Sequence, residues 1–373
     1  MTLGEMIRAK RRGLEIMDRK ITRAVRVGKL TVGGGAPITV QSMTNVPAED
    51  FEKSIAQIKR LETAKCDIVR LAIPTAECVE VFKLAKEQGV LCPLVADIHF
   101  DYKIALESVK MGADKIRINP GNIGEKWKVA EVANACKAAG LPIRIGVNGG
   151  SLDKTLLQKY GAPTAEALAE SALLEADQLE ACGFSDIVIS IKSSTVDEMT
   201  RAARIVSRDS NYPIHLGVTE AGDEYSGLVK NSIGIGSLLL DGIGDTIRVS
   251  LTADPVAEVK AGREIISALG LGTGGGINVI SCPTCGRTKI DLIGIGKRYK
   301  EAIYDLDTKG KSLKVAVMGC AVNGPGEARE ADFGIAGGDG YVLYFKNGVP
   351  QFKVEEARAV EFLVEETKKV IDE

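Results

Sequence analysis

Short runs rich in β-branched residues recur through the first two thirds of the chain, separated by amphipathic or Ala-rich stretches. They fall near Ile38–Ser42, Ile68–Ile73, Leu94–Ile98, Lys115–Asn119, Ile143–Asn148, Ile187–Lys192, Ile214–Thr219 and Thr246–Leu251. Their starts lie 21 to 32 residues apart, except for one gap of 44 after Ile143. That gap holds a Gly-rich loop and the segment Leu152–Tyr160, read as an insertion. The intervening patterns, such as Glu49–Ala64, Ala76–Gln88, Tyr102–Met111 and Thr164–Ala181, predict helices. Strands alternating with helices in this way pair in parallel through crossover connections. Eight such units in roughly 250 residues fit a (β/α)8 TIM-type barrel better than an open doubly wound sheet. The barrel is expected over residues 1–269, its last helix spanning about Pro255–Leu269.

The stretch 270–276 carries five glycines in seven residues. It contains a formal GxGxxG, but it follows a helix and precedes a strand, the reverse of a dinucleotide fingerprint. It reads as an interdomain hinge. Gly310-Lys311-Ser312 has Asp305 where a phosphate loop needs its first glycine, so no nucleotide motif survives. Residues 277–373 are expected to form a small α+β domain, with strands Asn278–Ser281 and Lys314–Met318, a helix over Leu292–Tyr304, and a hairpin turning at Asn347-Gly348.

Among the 373 residues, 48 basic and 50 acidic side chains nearly cancel, which argues against a nucleic-acid binder. No apolar run approaches the ~18 residues of a membrane span. The first thirty residues hold nine Lys or Arg and three acids, without the apolar core of a secretory signal, and read as a solvated segment. Eight cysteines are too sparse for a disulfide scaffold, which points to a reducing, cytoplasmic setting. Five of them (Cys66, Cys78, Cys92, Cys136, Cys182) fall within helix or strand patterns, where Cys acts as a small buried hydrophobe.

In a barrel, the C-terminal strand ends carry the chemistry and alternate residues point inward. Those ends hold Arg70, Asp97 with His99, Arg117 with Asn119, Arg144 with Asn148, Lys192, Glu220, and Arg248 with Ser250. Five cations on one rim repel one another unless an anion neutralises them, and the nearby acids are few: Asp97, Glu220 and Asp245. A small phosphorylated or diphosphorylated substrate is the natural complement, since guanidinium forks match phosphate oxygens. His99 suits either a general acid–base role or a hydrogen-bonded rim position, and His215, at its strand's start, suits structure. Glu220, opposite the cations, is the best placed carboxylate for proton transfer.

Cys282 and Cys285 form a CxxC after one strand, and Cys320 follows another. A lone CxxC is compatible with a zinc site or a redox pair, but this domain offers no fourth cysteine and the motif does not open a helix. Three thiolates among glycines suit an iron–sulfur cubane, with Glu327 as a harder and more labile ligand for the remaining iron. A phosphate-binding barrel transferase with a structural zinc site is the alternative.

The segments Ala36-Pro-Ile-Thr-Val-Gln-Ser-Met-Thr44, Lys115-Ile-Arg-Ile-Asn-Pro-Gly-Asn-Ile-Gly124, Arg144-Ile-Gly-Val-Asn-Gly-Gly-Ser-Leu152, Ser281-Cys-Pro-Thr-Cys-Gly-Arg287 and Met318-Gly-Cys-Ala-Val-Asn-Gly-Pro-Gly-Glu327 resemble the 4-hydroxy-3-methylbut-2-enyl diphosphate synthases of the methylerythritol phosphate route to isoprenoids, in their two-domain bacterial form. The resemblance implies an oxidoreductase that opens and dehydroxylates 2-C-methyl-D-erythritol 2,4-cyclodiphosphate with two electrons. It implies a [4Fe–4S] cluster on Cys282, Cys285, Cys320 and Glu327. It implies that the diphosphate sits on Arg70, Arg117, Arg144, Lys192, Arg248 and Ser250, with Asn119, Asn148, Glu220 and Asn323 as further site positions. It also implies flavodoxin or ferredoxin as electron donor, and a homodimer whose active site is shared between chains.

Overall fold

The computed structural model describes residues 19–272, 275–321, 326 and 328–373. The chain divides into two compact units that part between Leu271 and Gly272.

The first unit opens with an antiparallel hairpin, β1 (Val25–Val27) and β2 (Leu30–Val32). Val27 and Val32 are fully buried and pack with Ile68 and Val95, which stand at the starts of two barrel strands. The hairpin therefore floors the N-terminal end of the barrel. Basic residues around it are structural. The Arg19 guanidinium donates to the Ala36 carbonyl at 2.9 Å, and Lys20 binds the carbonyls of Ser207 and Ser210, where a helix ends and its dipole favours a cation. The stretch from Arg19 to Val32 is thus docked rather than solvated, because alternate valines find an apolar floor that local sequence does not reveal.

Eight strands then close a parallel barrel: β3 (Thr39–Met43), β4 (Ile68–Ala72), β5 (Leu94–Asp97), β6 (Lys115–Ile118), β7 (Ile143–Asn148), β8 (Ile187–Lys192), β9 (Ile214–Leu216) and β10 (Thr246–Ile247). β10 pairs with β3 to complete the ring. The last two strands are shorter than their sequence patterns, ending at Leu216 and Ile247. The expected helices form within a few residues of prediction, and the insertion is a short helix, Lys154–Tyr160. Asp50, Asp101, Thr164, Asp223 and Asp254 each accept a backbone N–H as N-cap.

Strand periodicity separates two environments. Outward positions such as Val69, Leu94, Ile116, Ile145 and Ile189 are buried under the helices in one apolar core. Truncating one of them to Ala costs about 2–5 kcal/mol. Inward positions are polar over most of the barrel's height: Gln41, Arg70, Asp97, Lys115, Arg117, Arg144, Ser190, His215 and Thr246 are all buried. A barrel interior is ordinarily filled with branched apolar residues.

The second unit is a five-stranded sheet ordered β11 (Gly276–Ser281), β12 (Ser312–Met318), β13 (Phe333–Gly337), β14 (Tyr341–Lys346) and β15 (Val349–Glu355). The first three strands are parallel and the last two antiparallel. Helices Leu292–Ile303 and Ala359–Asp372 cover one face, with Tyr299 hydrogen-bonded to Thr367 at 2.6 Å. The turn at Asn347 and Gly348 has both residues at positive φ, as the hairpin reading requires. β13 was not legible because two of its five residues are glycine. A β-carbon at Gly334 would run into the Ala316 carbonyl of β12.

Candidate active site

At the C-terminal mouth of the barrel the sequence-predicted cations converge. Asp97, on β5, bridges two of them. Arg117 Nη1 donates to its Oδ1 at 2.9 Å, and Arg70 Nε lies 3.5 Å from its Oδ2. Burial would raise the Asp97 carboxyl, but Arg70, His99 and Arg117 outweigh it and hold the group well below the usual carboxylate range. Arg70 also turns Nε and Nη2 toward the Met43 sulfur. Burial and the neighbouring guanidiniums push Arg70 itself down to about 10.

Arg248 is held by an acid that the sequence reading missed. Glu258, on the helix Pro255–Ala268 and only 3% exposed, accepts from Arg248 Nε at 3.2 Å and Nη2 at 3.1 Å. The Ser42 hydroxyl and the Leu251 N–H donate to the same carboxylate. An acid one turn into a helix that directly follows a barrel strand was the available signal. Asp245, counted among the rim acids, belongs to the opposite end. Its carboxylate accepts from the N–H of Ile214, the first residue of β9, and pairs with Arg19 at 3.4 Å.

Among the described residues Arg144 and Lys192 have no such partner: Arg144 is fully buried, and none of its three guanidinium nitrogens is hydrogen-bonded there. Burial, with Arg70 and Arg117 nearby, pulls its proton affinity well below the ordinary value. Below it in the interior, Lys115 is likewise fully buried with an unpaired ammonium nitrogen. His215 is also in this interior: it is buried beside Thr246 and held far below its normal pKa by desolvation and by Arg144 and Lys115. Burial and the fields of Arg70, Arg117 and Arg144 push Lys192 down to about 6.

Lys192 and Asn148 line a cavity of about 400 Å³ with Gly149, Gly150, Ser193 and Glu220. Glu220 is exposed and adopts φ +52°, a left-handed backbone that is uncommon for a non-glycine residue. Asn119 is buried at the end of β6. His99 lies more exposed, with Nε2 3.8 Å from Asp97 Oδ2. The Ser250 carbonyl is fixed by the amide of the buried Asn231 at 3.2 Å.

In the second unit, β11 and β12 are parallel neighbours with Ser281 opposite Val317. Their register brings together the loops that carry Cys282 and Cys320. The N–H of Gly319 donates to the Cys282 sulfur at 3.2 Å, and the N–H of Cys285 donates to the Thr288 hydroxyl at 3.2 Å. All three thiols are free; Cys285 is exposed and the others are half-buried. Backbone and side-chain hydrogen bonds from Arg287 lower the Cys285 thiol, favouring thiolate. Among the described residues no three His, Cys, Asp or Glu side chains converge as a single metal ion would need. Three cysteine thiols carried by two neighbouring loops are donors of the kind an iron–sulfur cluster takes. Asn323 and Glu327 lie outside the described residues.

A closed parallel (β/α)8 barrel followed by a separate sheet unit defines a TIM-barrel protein with a C-terminal α+β unit. The GcpE TIM-barrel domain model matches residues 22–263, and the model of the GcpE protein C-terminal domain matches residues 278–369. The chain belongs to the GcpE family. It is 54% identical, over 94% of its length and 93% of the relative's, to a protein of Symbiobacterium thermophilum named 4-hydroxy-3-methylbut-2-en-1-yl diphosphate synthase (flavodoxin). It is 55% identical to a Clostridium perfringens protein of the same name, over 95% of this chain and 99% of that one. Among solved structures, dihydropteroate synthase from Thermus thermophilus is similar at a TM-score of 0.50 and 15% identity, covering 67% of this chain and 97% of that one. That likeness shows the barrel fold alone.

Proposed function

We propose that this chain is an oxidoreductase that takes 2-C-methyl-D-erythritol 2,4-cyclodiphosphate at the barrel mouth and converts it to 4-hydroxy-3-methylbut-2-enyl diphosphate. Overall the substrate takes up two electrons and two protons, opens its ring at a C–O bond and loses one oxygen as water. The observation that carries the reading is Arg144, a fully buried guanidinium with no hydrogen-bond partner among the described residues. An uncompensated buried charge costs about 3–5 kcal/mol, which a bound diphosphate offsets. The names printed for relatives above 50% identity support the same reading.

Arg70, Arg117, Arg144, Lys192 and Arg248 hold the diphosphate, with Asn119, Asn148, Ser250 and His99 about the rest of the ring. Asp97 and Glu258 keep the arginine forks aimed while leaving the mouth a net positive charge. Glu220, in the cavity beside Lys192, delivers a proton to the departing oxygen. Asn323 is assigned to the substrate by resemblance alone. Cys282, Cys285, Cys320 and Glu327 would hold a [4Fe–4S] cluster. Such a cluster supplies electrons one at a time and a Lewis-acidic iron.

Flavodoxin, which the relatives' names print, is the expected electron donor, with ferredoxin as substitute. A second copy of the chain is the expected partner. The helix Glu224–Leu240 leaves Tyr225, Leu228, Val229, Ile233 and Leu240 exposed, an apolar stripe that self-association would cover. No described helix is long and apolar enough to cross a membrane, and we assign the enzyme to the cytoplasm.

Anaerobic purification followed by iron, sulfide and EPR measurement tests the reading. About four iron and four sulfide per chain are expected. Zinc without sulfide would favour redox-free transferase chemistry instead.

A further inference from the structure

On β7 the inward positions read Arg144, Gly146, Asn148, and the middle one has no side chain. A β-carbon at Gly146 would lie 2.5 Å from Arg117 Nε, 2.6 Å from Nη2 and 2.9 Å from Cζ. The Arg117 guanidinium therefore fills the volume that a side chain at 146 would occupy. It is also bonded to that spot: Nη2 donates to the Gly146 carbonyl at 3.2 Å, while Nη1 reaches Asp97 at 2.9 Å. Asp97 in turn faces Arg70 at 3.5 Å. Gly146 is not among the residues at positive φ, so its backbone suits any amino acid. What the position requires is the missing methyl.

We propose that Gly146 is a positioning residue: its bare inward face is the seat that lays Arg117 across β7 and fixes the Arg70–Asp97–Arg117 unit to receive a phosphoryl group. The inference rests on the diphosphate reading and deepens it. An alanine here collides with the far end of a long side chain, not with backbone. Relief comes by swinging the guanidinium away from Asp97, so the barrel folds and the loss appears in ligand binding. Removing backbone freedom from the unfolded chain partly offsets the strain.

The test is a double-mutant cycle on the full-length protein, with inorganic pyrophosphate titrated calorimetrically. Gly146→Ala should weaken binding about tenfold or more, as expected when a charged hydrogen bond is lost, with the protein still folded by circular dichroism. In the Arg117→Ala background the same substitution should weaken binding no further, because the group it displaces is gone. Unchanged affinity in the single variant, or additive losses in the double variant, would overturn the proposal. If the parent protein binds no pyrophosphate, the diphosphate reading fails, and a crystal structure of Gly146→Ala decides about the seat. Separation of Arg117 from Asp97 supports it, and an unchanged pair overturns it.

Discussion

At the barrel mouth the charged side chains stand on the strands or directly at their ends, whereas the cysteines of the second unit stand on loops beyond theirs. Arg70, Asp97, Arg117, Arg144 and Lys192 belong to β4 through β8, and strand register fixes them with or without a ligand. Cys282, Cys285 and Cys320 follow β11 and β12; the Cys282 sulfur accepts from the Gly319 N–H, and the Cys285 N–H donates to the Thr288 hydroxyl. The first region is preorganised, and it costs stability in uncompensated charge. Among its described residues the second holds no buried side-chain polar atom without a partner, and its fitness lies in the chemistry of its donors. Substitutions in the two regions should therefore behave oppositely in the ligand-free protein.

The largest effect is expected in the loops. Cys320→Ser should remove essentially all iron and sulfide after anaerobic reconstitution while leaving the circular dichroism spectrum of the barrel intact. Retention of both would break the ligand assignment. At the mouth, Arg144→Met should abolish pyrophosphate binding and yet raise the barrel's unfolding free energy by about 1–3 kcal/mol, read from denaturant titration, since it deletes a buried charge that no described residue pairs. A loss of stability would mean that Arg144 has a compensating partner in solution.

Glu258→Gln sharpens the same contrast from the acid's side. It keeps the shape but weakens the hold on Arg248, and should reduce substrate affinity by about 10- to 100-fold, on the scale of a charge-assisted hydrogen bond. A KM equal to that of the parent would show that Arg248 needs no anchor. A further effect, read through pH, is proton linkage at Lys192. With its pKa pushed down to about 6 in the free protein, the amine is mostly neutral at pH 7 and must take up a proton to pair with a diphosphate. Affinity for the cyclic diphosphate should therefore fall as pH rises from about 6 to 8, by up to about tenfold per unit. Lys192→Arg, which stays charged, should flatten that slope.

Much of this site was legible because a parallel barrel converts sequence position into geometry. Once the strands were placed, residues at even spacing near their ends had to share a face, and Arg117 with Asn119 or Arg144 with Asn148 followed. The same parity puts Gly146 on that face, but a glycine offers no chemistry to read, and its meaning emerges only with Arg117 lying across it. Glu258 was hidden because it sits on a helix, not at a strand end. The floor hairpin was hidden because two three-residue strands are too short for periodicity to register. Asp245 was misplaced because it precedes β10, and the start of a strand in a parallel barrel lies at the end opposite the mouth. In the second unit the CxxC and the later Cys were plain in the sequence. Their proximity depends on β11 and β12 being parallel neighbours, which no local pattern states.

The most direct measurement is a single assay: anaerobically reconstituted protein, reduced flavodoxin and the cyclic diphosphate, followed by phosphorus NMR. The account predicts that the ring signals give way to those of a linear allylic diphosphate, one molecule formed for every two electrons consumed. Protein that carries its full complement of iron and sulfide and binds the cyclic diphosphate, but leaves the ring closed, would contradict it.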